Sequence, residues 1–391
     1  VCHWIFDRIL VNSIIEIQFS LILFMISGFA TPEGTKNFMG IHDSIPDKNF
    51  NVFEELFLSN VGIGTYLGNP DSETDIAVTD AVKKSIMSGI NVVDTAINYR
   101  AQKAERSVGK AIVDLIEEKK ISRDQVFVST KNGYVTNDGD IQEDFMQYVM
   151  REFGKTGIVK EGDISSGYHC MTIPYLEDQL NRSLKNLDLE CIDLMYLHNA
   201  VEGHPELSKE EFLEKLTSVI EFYEEKRKEG KIRFYGMATW ECFRVDENNN
   251  MFLSLEKVID IAKKIGGENH GFRFIQLPYN FQFDQAYIKR NQTVQTEQVS
   301  ILESARKLGV GVFTSVPLMQ GKLLEWVKNS SAFTSFIPSI AALQFIRSTP
   351  GVLSPLIGQK NDAHVSENME VMKILPFSEN EFQDIIKKLM S

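Results

Sequence analysis

The chain has 391 residues, 43% hydrophobic and 24% charged, with 54 acidic against 41 basic residues and a formal net charge of −13. That balance suits a large buried core in a soluble globular protein and argues against nucleic-acid binding, which needs a basic face to neutralise phosphates. Four cysteines, Cys2, Cys170, Cys191 and Cys242, are scattered without a CxxC pair, so neither a zinc site nor a disulfide framework is expected, and a reducing cytoplasm is the expected home.

The chain opens on an apolar stretch, Ile14 to Ala30, interrupted by Glu16 and Gln18; its clean part, Phe19 to Ala30, is shorter than the roughly 20 residues of a spanning helix. A membrane anchor, a signal sequence and residues upstream of the true start all fit. The last is the expectation, because nothing downstream looks secreted. Residues 1–29 are therefore set outside a single domain of 30–391, with no stable membrane association.

From about residue 50 short β-rich runs alternate with stretches of helical period, the pattern of βα units around a parallel sheet. Eight strands are expected, around Val61–Gly64, Asn91–Asp94, Val126–Thr130, Asp193–Leu197, Ile232–Met237, Phe272–Leu277, Val310–Thr314 and Leu353–Ile357. Helical patterns lie between them at Thr79–Ser88, Ala104–Lys119, Leu176–Leu187, Lys209–Glu229, Leu255–Lys264, Glu297–Leu308 and Ile340–Ser348. Many strand runs are apolar at every position, as when both faces are covered, and eight such strands close a (β/α)8 TIM barrel. Three segments stand outside the repeat. Phe50–Leu58 reads as an N-terminal hairpin plugging the barrel floor. Asn132–Cys170, a long loop after the third strand, is a candidate lid. Phe377–Met390 reads as a C-terminal helix, with Ser378 as N-cap and Glu381 three residues on.

The run Gly62-Ile63-Gly64-Thr65-Tyr66-Leu67-Gly68 imitates a dinucleotide fingerprint, but its spacing is off by one and Asn69, Pro70 and Asp71 follow where a phosphate-binding helix should open. These glycines are read as the turn leaving the first barrel strand.

Chemistry gathers where strands end. Asp94, Lys131 and His198 each close a strand, and Tyr99 follows five residues after Asp94; in a barrel these positions share the mouth where active sites lie. Taken singly, each could be a cap or a satisfied core residue. Together they suit carbonyl reduction. A phenol near pKa 10 is a poor acid at neutrality; an ammonium beside it lowers that value, and a carboxylate would hold the ammonium charged and aimed. His198 would polarise the carbonyl oxygen.

The motifs around these residues carry a family resemblance. Asp94-Thr95-Ala96-Ile97-Asn98-Tyr99, followed by Glu105 and Gly109, resembles the aldo-keto reductase signature D-T-A-x-x-Y…E…G. Phe127-Val128-Ser129-Thr130-Lys131 is similar to the family strand ending in T-K, and Ile192-Asp193-Leu194-Met195-Tyr196-Leu197-His198 to its I-D-L-x-x-x-H. The resemblance runs from about Val61 to Met372. It implies Tyr99 as proton donor, Lys131 and Asp94 as its tuning pair and His198 as substrate orienter. Ala30-Thr31-Pro32-Glu33-Gly34-Thr35 resembles the opening of a prokaryotic branch.

The cofactor side of the resemblance implies contacts from Gly64, Thr65 and Asp94, from Thr239 after the G-K-I-R-x-x-G strand that starts at Gly230, and from Gln276 in Ile275-Gln276-Leu277-Pro278-Tyr279-Asn280. It further implies Ser315, Leu318 and Gly321 around Pro317, and Gly358, Gln359, Lys360, His364, Glu367 and Asn368 at the adenosine end. The chain departs from the family pattern in three places. The usual Ser-Asn pair is Ala238-Thr239, Ser315 stands where many members stack an aromatic ring, and Gly358, Gln359 and His364 stand where the family usually places basic and hydroxyl groups near the adenosine phosphate, with Lys360 alongside as the cation for a 2′-phosphate. The implied cofactor is NADP(H), with NAD(H) as the second choice. The partner is a small-molecule aldehyde or ketone, with Tyr66 and Trp240 as pocket residues by strand position. The alternative is a regulatory subunit that keeps the barrel and cofactor but turns over little.

Overall fold

Short runs rich in β-branched, aliphatic and aromatic residues form the barrel staves, and most of their positions are buried on both faces. The computed structural model describes residues 25–333 and 335–390. Chain order begins with a hairpin, β1 (Phe50–Phe53) and β2 (Leu56–Ser59), paired antiparallel. Six barrel strands follow: β3 (Gly62–Gly64), β4 (Val92–Asp94), β5 (Phe127–Asn132), β6 (Ile192–His198), β7 (Ile232–Ala238) and β8 (Phe272–Pro278). A second hairpin, β9 (Gln292–Val294) and β10 (Glu297–Val299), precedes the last two staves, β11 (Gly311–Ser315) and β12 (Val352–Gly358). The eight staves close in the order β11-β12-β3-β4-β5-β6-β7-β8, every pair parallel. This is the expected (β/α)8 barrel. In such a barrel the C-terminal strand ends share one face.

The hairpin is the floor plug that the sequence suggested. Leu56 and Leu58 join Val92, Phe127, Leu194, Phe234, Phe274, Phe313 and Leu356 in one buried cluster inside the barrel. Phe274 sits at its centre, stacked on Phe313 at 5.6 Å and touched by Phe53, Phe127 and Phe234 at 5.0, 5.4 and 5.4 Å between ring centroids. Aromatic rings packed edge-on and offset in this way gain beyond their area burial.

Helices match the expected periods, with corrections at their starts. The first begins at Ser72 rather than Thr79, because the Asp71 side chain caps it by accepting the Thr74 N–H. The pattern expected as a helix over Glu297–Leu308 is split: Glu297–Val299 pairs as β10, and the helix Ile301–Lys307 opens only after Ser300 and Glu303 form a capping box. Ser378 and Glu381 cap the C-terminal helix Glu379–Met390 in the same way.

Of the apolar N-terminal run, residues 14–24 lie outside the described residues, as does Cys2. Ile26 bridges in parallel to Leu189, donates its N–H to the Asp188 carbonyl at 2.7 Å and accepts from the Glu190 N–H at 3.0 Å. The Ala30 N–H is held by the buried Asp193 carboxylate at 2.6 Å. A helix not expected from the sequence, Pro32–Ile41, follows, with Thr31 as N-cap and proline in its first turn. Among the described residues no helix is long and apolar enough to cross a membrane.

The candidate lid is a packed cap. Val135, Tyr148, Val149, Phe153, Val159 and Cys170 form a small core of their own with Tyr175. Arg106 ties it to the barrel through Asp138, and Arg182 does so through Glu152.

Candidate active site

Asp94 closes β4, and its two carboxylate oxygens are fully used. Oδ1 accepts from the Ser129 hydroxyl at 2.7 Å and from Gln276 Nε2 at 3.0 Å, while Oδ2 accepts from Lys131 Nζ at 2.5 Å. Lys131, completely buried at the end of β5, donates also to the Thr95 carbonyl at 2.8 Å. Burial pulls its ammonium toward neutrality, but the charge of Asp94 and the hydrogen bonds to Asp94 and Tyr99 outweigh it and hold the pKa above its ordinary value. A cation this deep persists only because it is paired and hydrogen-bonded.

Tyr99 stands just before a tight turn in which Arg100, Ala101 and Gln102 all have left-handed backbone. The turn sets its ring 4.7 Å from Lys131 Nζ. From the sequence, Lys131 is expected to lower the phenol pKa. Burial is the stronger influence and raises it; Lys131 pulls the other way, by charge and by a hydrogen bond, while Asp94 adds to the effect of burial, so the phenol is held above its usual value. Tyr99 therefore keeps its proton at neutrality.

His198 closes β6, and the next residue, Asn199, turns left-handed. Its ring lies edge-on to Tyr99 at 5.8 Å and to Tyr134 at 5.0 Å. Burial first, then the charge of Lys131, holds its pKa well below the usual value, so the ring is neutral. Its Nδ1 is buried without a partner. The structure thus brings Asp94, Tyr99, Lys131 and His198 together at one strand-end rim: a protonated phenol, a buried ammonium–carboxylate pair and a neutral imidazole.

The residues expected around a cofactor ring the same rim. Gly64 pairs with both Asp94 and Gly358 across neighbouring strands, and the Thr65 hydroxyl donates to the Asp94 carbonyl at 3.2 Å. Thr239 donates its N–H to the Gln276 carbonyl at 2.8 Å, and its hydroxyl is buried without a partner. That orphaned hydroxyl beside the Gln276 amide fits a carboxamide, which offers both a donor and an acceptor. Ser315 ends β11; beyond it Val316, Met319, Gln320 and Gly321 have left-handed backbone, with Leu318 capping the short turn.

At the far end the expected contacts divide. Gln359 and Asn368 are buried and spend their amides on each other and on Ser85, while Glu367 accepts from Ser339. Gly358, Lys360 and His364 are exposed. Among the described residues no carboxylate pairs with Lys360; its ammonium lies beside Gly68, where a side-chain carbon would come within 3.2 Å of it.

Of the two expected pocket residues, Tyr66 is 60% exposed and leans edge-on against Tyr99 at 5.0 Å. Trp240 packs on Phe283 at 5.9 Å, and its N–H, with those of Glu241 and Cys242, is accepted by one oxygen of Glu202. Sequence reasoning missed Ser129 and Tyr134. Ser129 was findable, because alternate residues of a strand share a face and it lies two before Lys131. Tyr134 belongs to the long segment after the third strand, and no sequence periodicity places it beside His198.

The chain matches the Aldo/keto reductase family model over residues 60–339. It is 21% identical over 345 residues to an uncharacterised oxidoreductase of Bacillus subtilis, covering 84% of this chain and 92% of that protein. It is 26% identical over 200 residues to an NADH-specific methylglyoxal reductase of Escherichia coli, covering 49% of this chain and 52% of that one. Among solved structures, an aldo/keto reductase from Klebsiella pneumoniae in complex with NADP and acetate aligns with a TM-score of 0.58 at 19% identity, over 88% of this chain and 95% of that one. The holo form of an aldo-keto reductase from Bacillus halodurans aligns with the same TM-score of 0.58 and identity of 19%, over 88% and 96%.

Proposed function

Because the chain belongs to the aldo/keto reductase family, we propose that it reduces an aldehyde or ketone to the alcohol with a nicotinamide cofactor, NADP(H) ahead of NAD(H). The observation that carries this reading is the buried Asp94–Lys131 pair set under the Tyr99 ring, with the neutral His198 edge-on beside it.

When bound, the reduced nicotinamide supplies the hydride; Gln276, Thr239 and Ser315 are the side chains to hold its ring, with the turn 316–321 toward the phosphates. The chain's own residues handle the oxygen. The neutral His198 ring, whose Nδ1 has no partner inside the protein, leaves Nε2 as the N–H that would orient and polarise the carbonyl. Tyr99 gives its proton to the oxygen as negative charge develops there. A raised phenol pKa does not prevent this, because an alkoxide is a far stronger base than a phenolate. Lys131 stabilises the phenolate left behind, and Asp94, Ser129 and Gln276 keep the lysine charged and aimed. In the reverse direction Tyr99 must first lose its proton, so alcohol oxidation should rise toward alkaline pH while reduction holds.

The preference for NADP(H) rests on Lys360, which among the described residues has no carboxylate partner and so is available to a 2′-phosphate. The NADP complex named for the Klebsiella structure agrees with it, and the NADH-specific Escherichia coli relative keeps NAD(H) as the second choice. A regulatory subunit with little turnover is not favoured, since binding alone needs no protonated Tyr99 over a buried ammonium. The decisive test is NADPH oxidation over a panel of aldehydes and ketones, with Tyr99→Phe as control. Turnover of some substrates by wild type and not by Tyr99→Phe is expected; equal rates for both would overturn the assignment.

A further inference from the structure

Behind the active site a second histidine sits against the first. We propose that His169 is a positioning residue for His198, the inner link of a hydrogen-bonded chain running from the His198 carbonyl through His169 to His204. The inference rests on the carbonyl-reduction reading above.

His169 ends the cap segment and is completely buried. Its Nε2 lies 2.8 Å from the His198 carbonyl oxygen, and its Nδ1 lies 3.1 Å from His204 Nε2. His204 Nδ1 lies in turn 3.1 Å from Glu206 Oε1. The protons can be assigned from one end. A carbonyl only accepts, so His169 Nε2 carries the hydrogen. Burial, aided by His204, lowers the His169 pKa to about 3, so the ring is neutral and Nδ1 accepts. His204 Nε2 must then donate; burial holds the His204 pKa below its ordinary value, so the neutral ring has no second proton for Glu206 and the assigned chain ends at His204. Each nitrogen of His169 thereby has one fixed role, and its ring cannot flip without losing both bonds.

The fit around the ring is as specific as the bonding. A side-chain carbon on Gly133, whose φ is +114°, would lie 2.3 Å from His169 Nε2, and one on Gly203 would lie 2.7 Å from His169 Cβ. Tyr134 packs edge-on against both rings, 5.3 Å from His169 and 5.0 Å from His198. His169 is thus wedged between the exits of β5 and β6, and it grips the one peptide that joins His198 to the left-handed Asn199. Tilting that peptide would swing the His198 ring over the mouth. Errors near 1 Å in a catalytic group cost about a hundredfold in rate. Nothing here requires His169 to touch substrate; it acts through His198.

The test uses the full chain with His169→Phe, which fills the space without an N–H, and His169→Gln, whose amide can still donate to the carbonyl. Steady-state kcat and KM are measured for both, and the His198 ring nitrogens are followed by long-range 15N–1H correlation spectra at neutral pH. His169→Phe should lower kcat by about tenfold to a hundredfold, leave the cofactor KM unchanged and move the His198 ring signals. His169→Gln should restore most of kcat and return those signals toward wild type. The proposal is overturned if His198 signals stay in place in His169→Phe, or if both variants lose activity only in proportion to their unfolded fraction. The spectra separate the two readings: wild type inert toward every carbonyl would defeat the reaction assignment, while the His198 signals would still decide the role of His169.

Discussion

The two ends of the barrel fill similar space with opposite materials. At the floor, Phe53, Leu56, Leu58, Phe127, Phe274 and Phe313 bring no charge and pack ring against ring. At the mouth, Asp94, Lys131 and Gln276 are buried on β4, β5 and β8, the last two of which also supply Phe127 and Phe274 to the floor, and they are joined by hydrogen bonds. The floor lowers the free energy of the fold, while the mouth holds an ion pair whose desolvation offsets its attraction. The difference assigns stability to one end and chemistry to the other, so substitutions at the two ends should separate cleanly.

The largest separation is expected from Tyr99→Phe. Removing the proton donor should lower kcat by about 10²- to 10⁴-fold and leave the thermal midpoint unchanged, since only a hydroxyl is lost. Activity and calorimetry on one preparation check it. A fall in both together would mean that Tyr99 is a packing residue. The pair beneath it should go further in the other direction. Asp94→Asn with Lys131→Met should abolish turnover yet leave stability unchanged or raised by about 1–4 kcal/mol, whereas Asp94→Asn alone, which strands the buried ammonium, should cost about 3–5 kcal/mol.

Phe274→Ala is the complement at the floor. It removes the ring that touches Phe53, Phe127, Phe234 and Phe313, so about 3–5 kcal/mol of stability should disappear. Denaturant unfolding measures the loss, and kcat per folded molecule should stay near wild type. A specific loss of kcat in a fully folded variant would break the division between the two ends.

The same comparison shows what could be read from the sequence. Strands carrying Asp94, Lys131 and His198 were legible because each is a short, largely apolar or β-branched run with an ionisable residue at or next to its end. The floor hairpin was legible from its position before the first stave. The segment 132–170 was not: its core is assembled from Val135, Tyr148, Phe153 and Val159, whose spacing follows no single period, so Tyr134 and His169 could not be placed. The β10 strand was absorbed into a helix because the pattern continues without a break until Ser300, and only the capping box reveals the start. The direction of the Tyr99 shift was misjudged for a different reason. Sequence supplies the neighbouring charge of Lys131 but not the depth at which the phenol sits, and at that depth burial outweighs the charge.

Acid should expose the mouth's cost in a graded way. His169 and His198 both have pKa values depressed in the fold, His169 to about 3. The unfolded chain binds their protons near pH 6.5, so below that value unfolding takes up protons and stability falls as pH falls. Each histidine contributes a slope of about 1.4 kcal/mol per pH unit until its folded pKa is reached. Unfolding free energies measured between pH 6.5 and 4 should therefore fall less steeply in His169→Phe than in wild type, by one proton's worth. Equal slopes would mean that His169 is protonated in the fold.

The smallest effect is expected farthest from both ends, at the adenosine position. Lys360 is exposed, beside Gly68, and a hydrogen bond from a charged group contributes about 1.5–3 kcal/mol when its partner is fully engaged, with exposure pulling toward the lower figure. Lys360→Met should therefore raise the KM or Kd for NADPH by roughly tenfold and leave NADH unchanged. Because the 2′-phosphate is the feature that distinguishes the two cofactors, the ratio of the two changes is the informative quantity. An equal loss for both would move the phosphate contact away from Lys360. A loss for NADPH that shrinks as salt rises would identify the contact as an exposed charge pair, in keeping with a cofactor tail gripped far more loosely than the buried pair at the mouth.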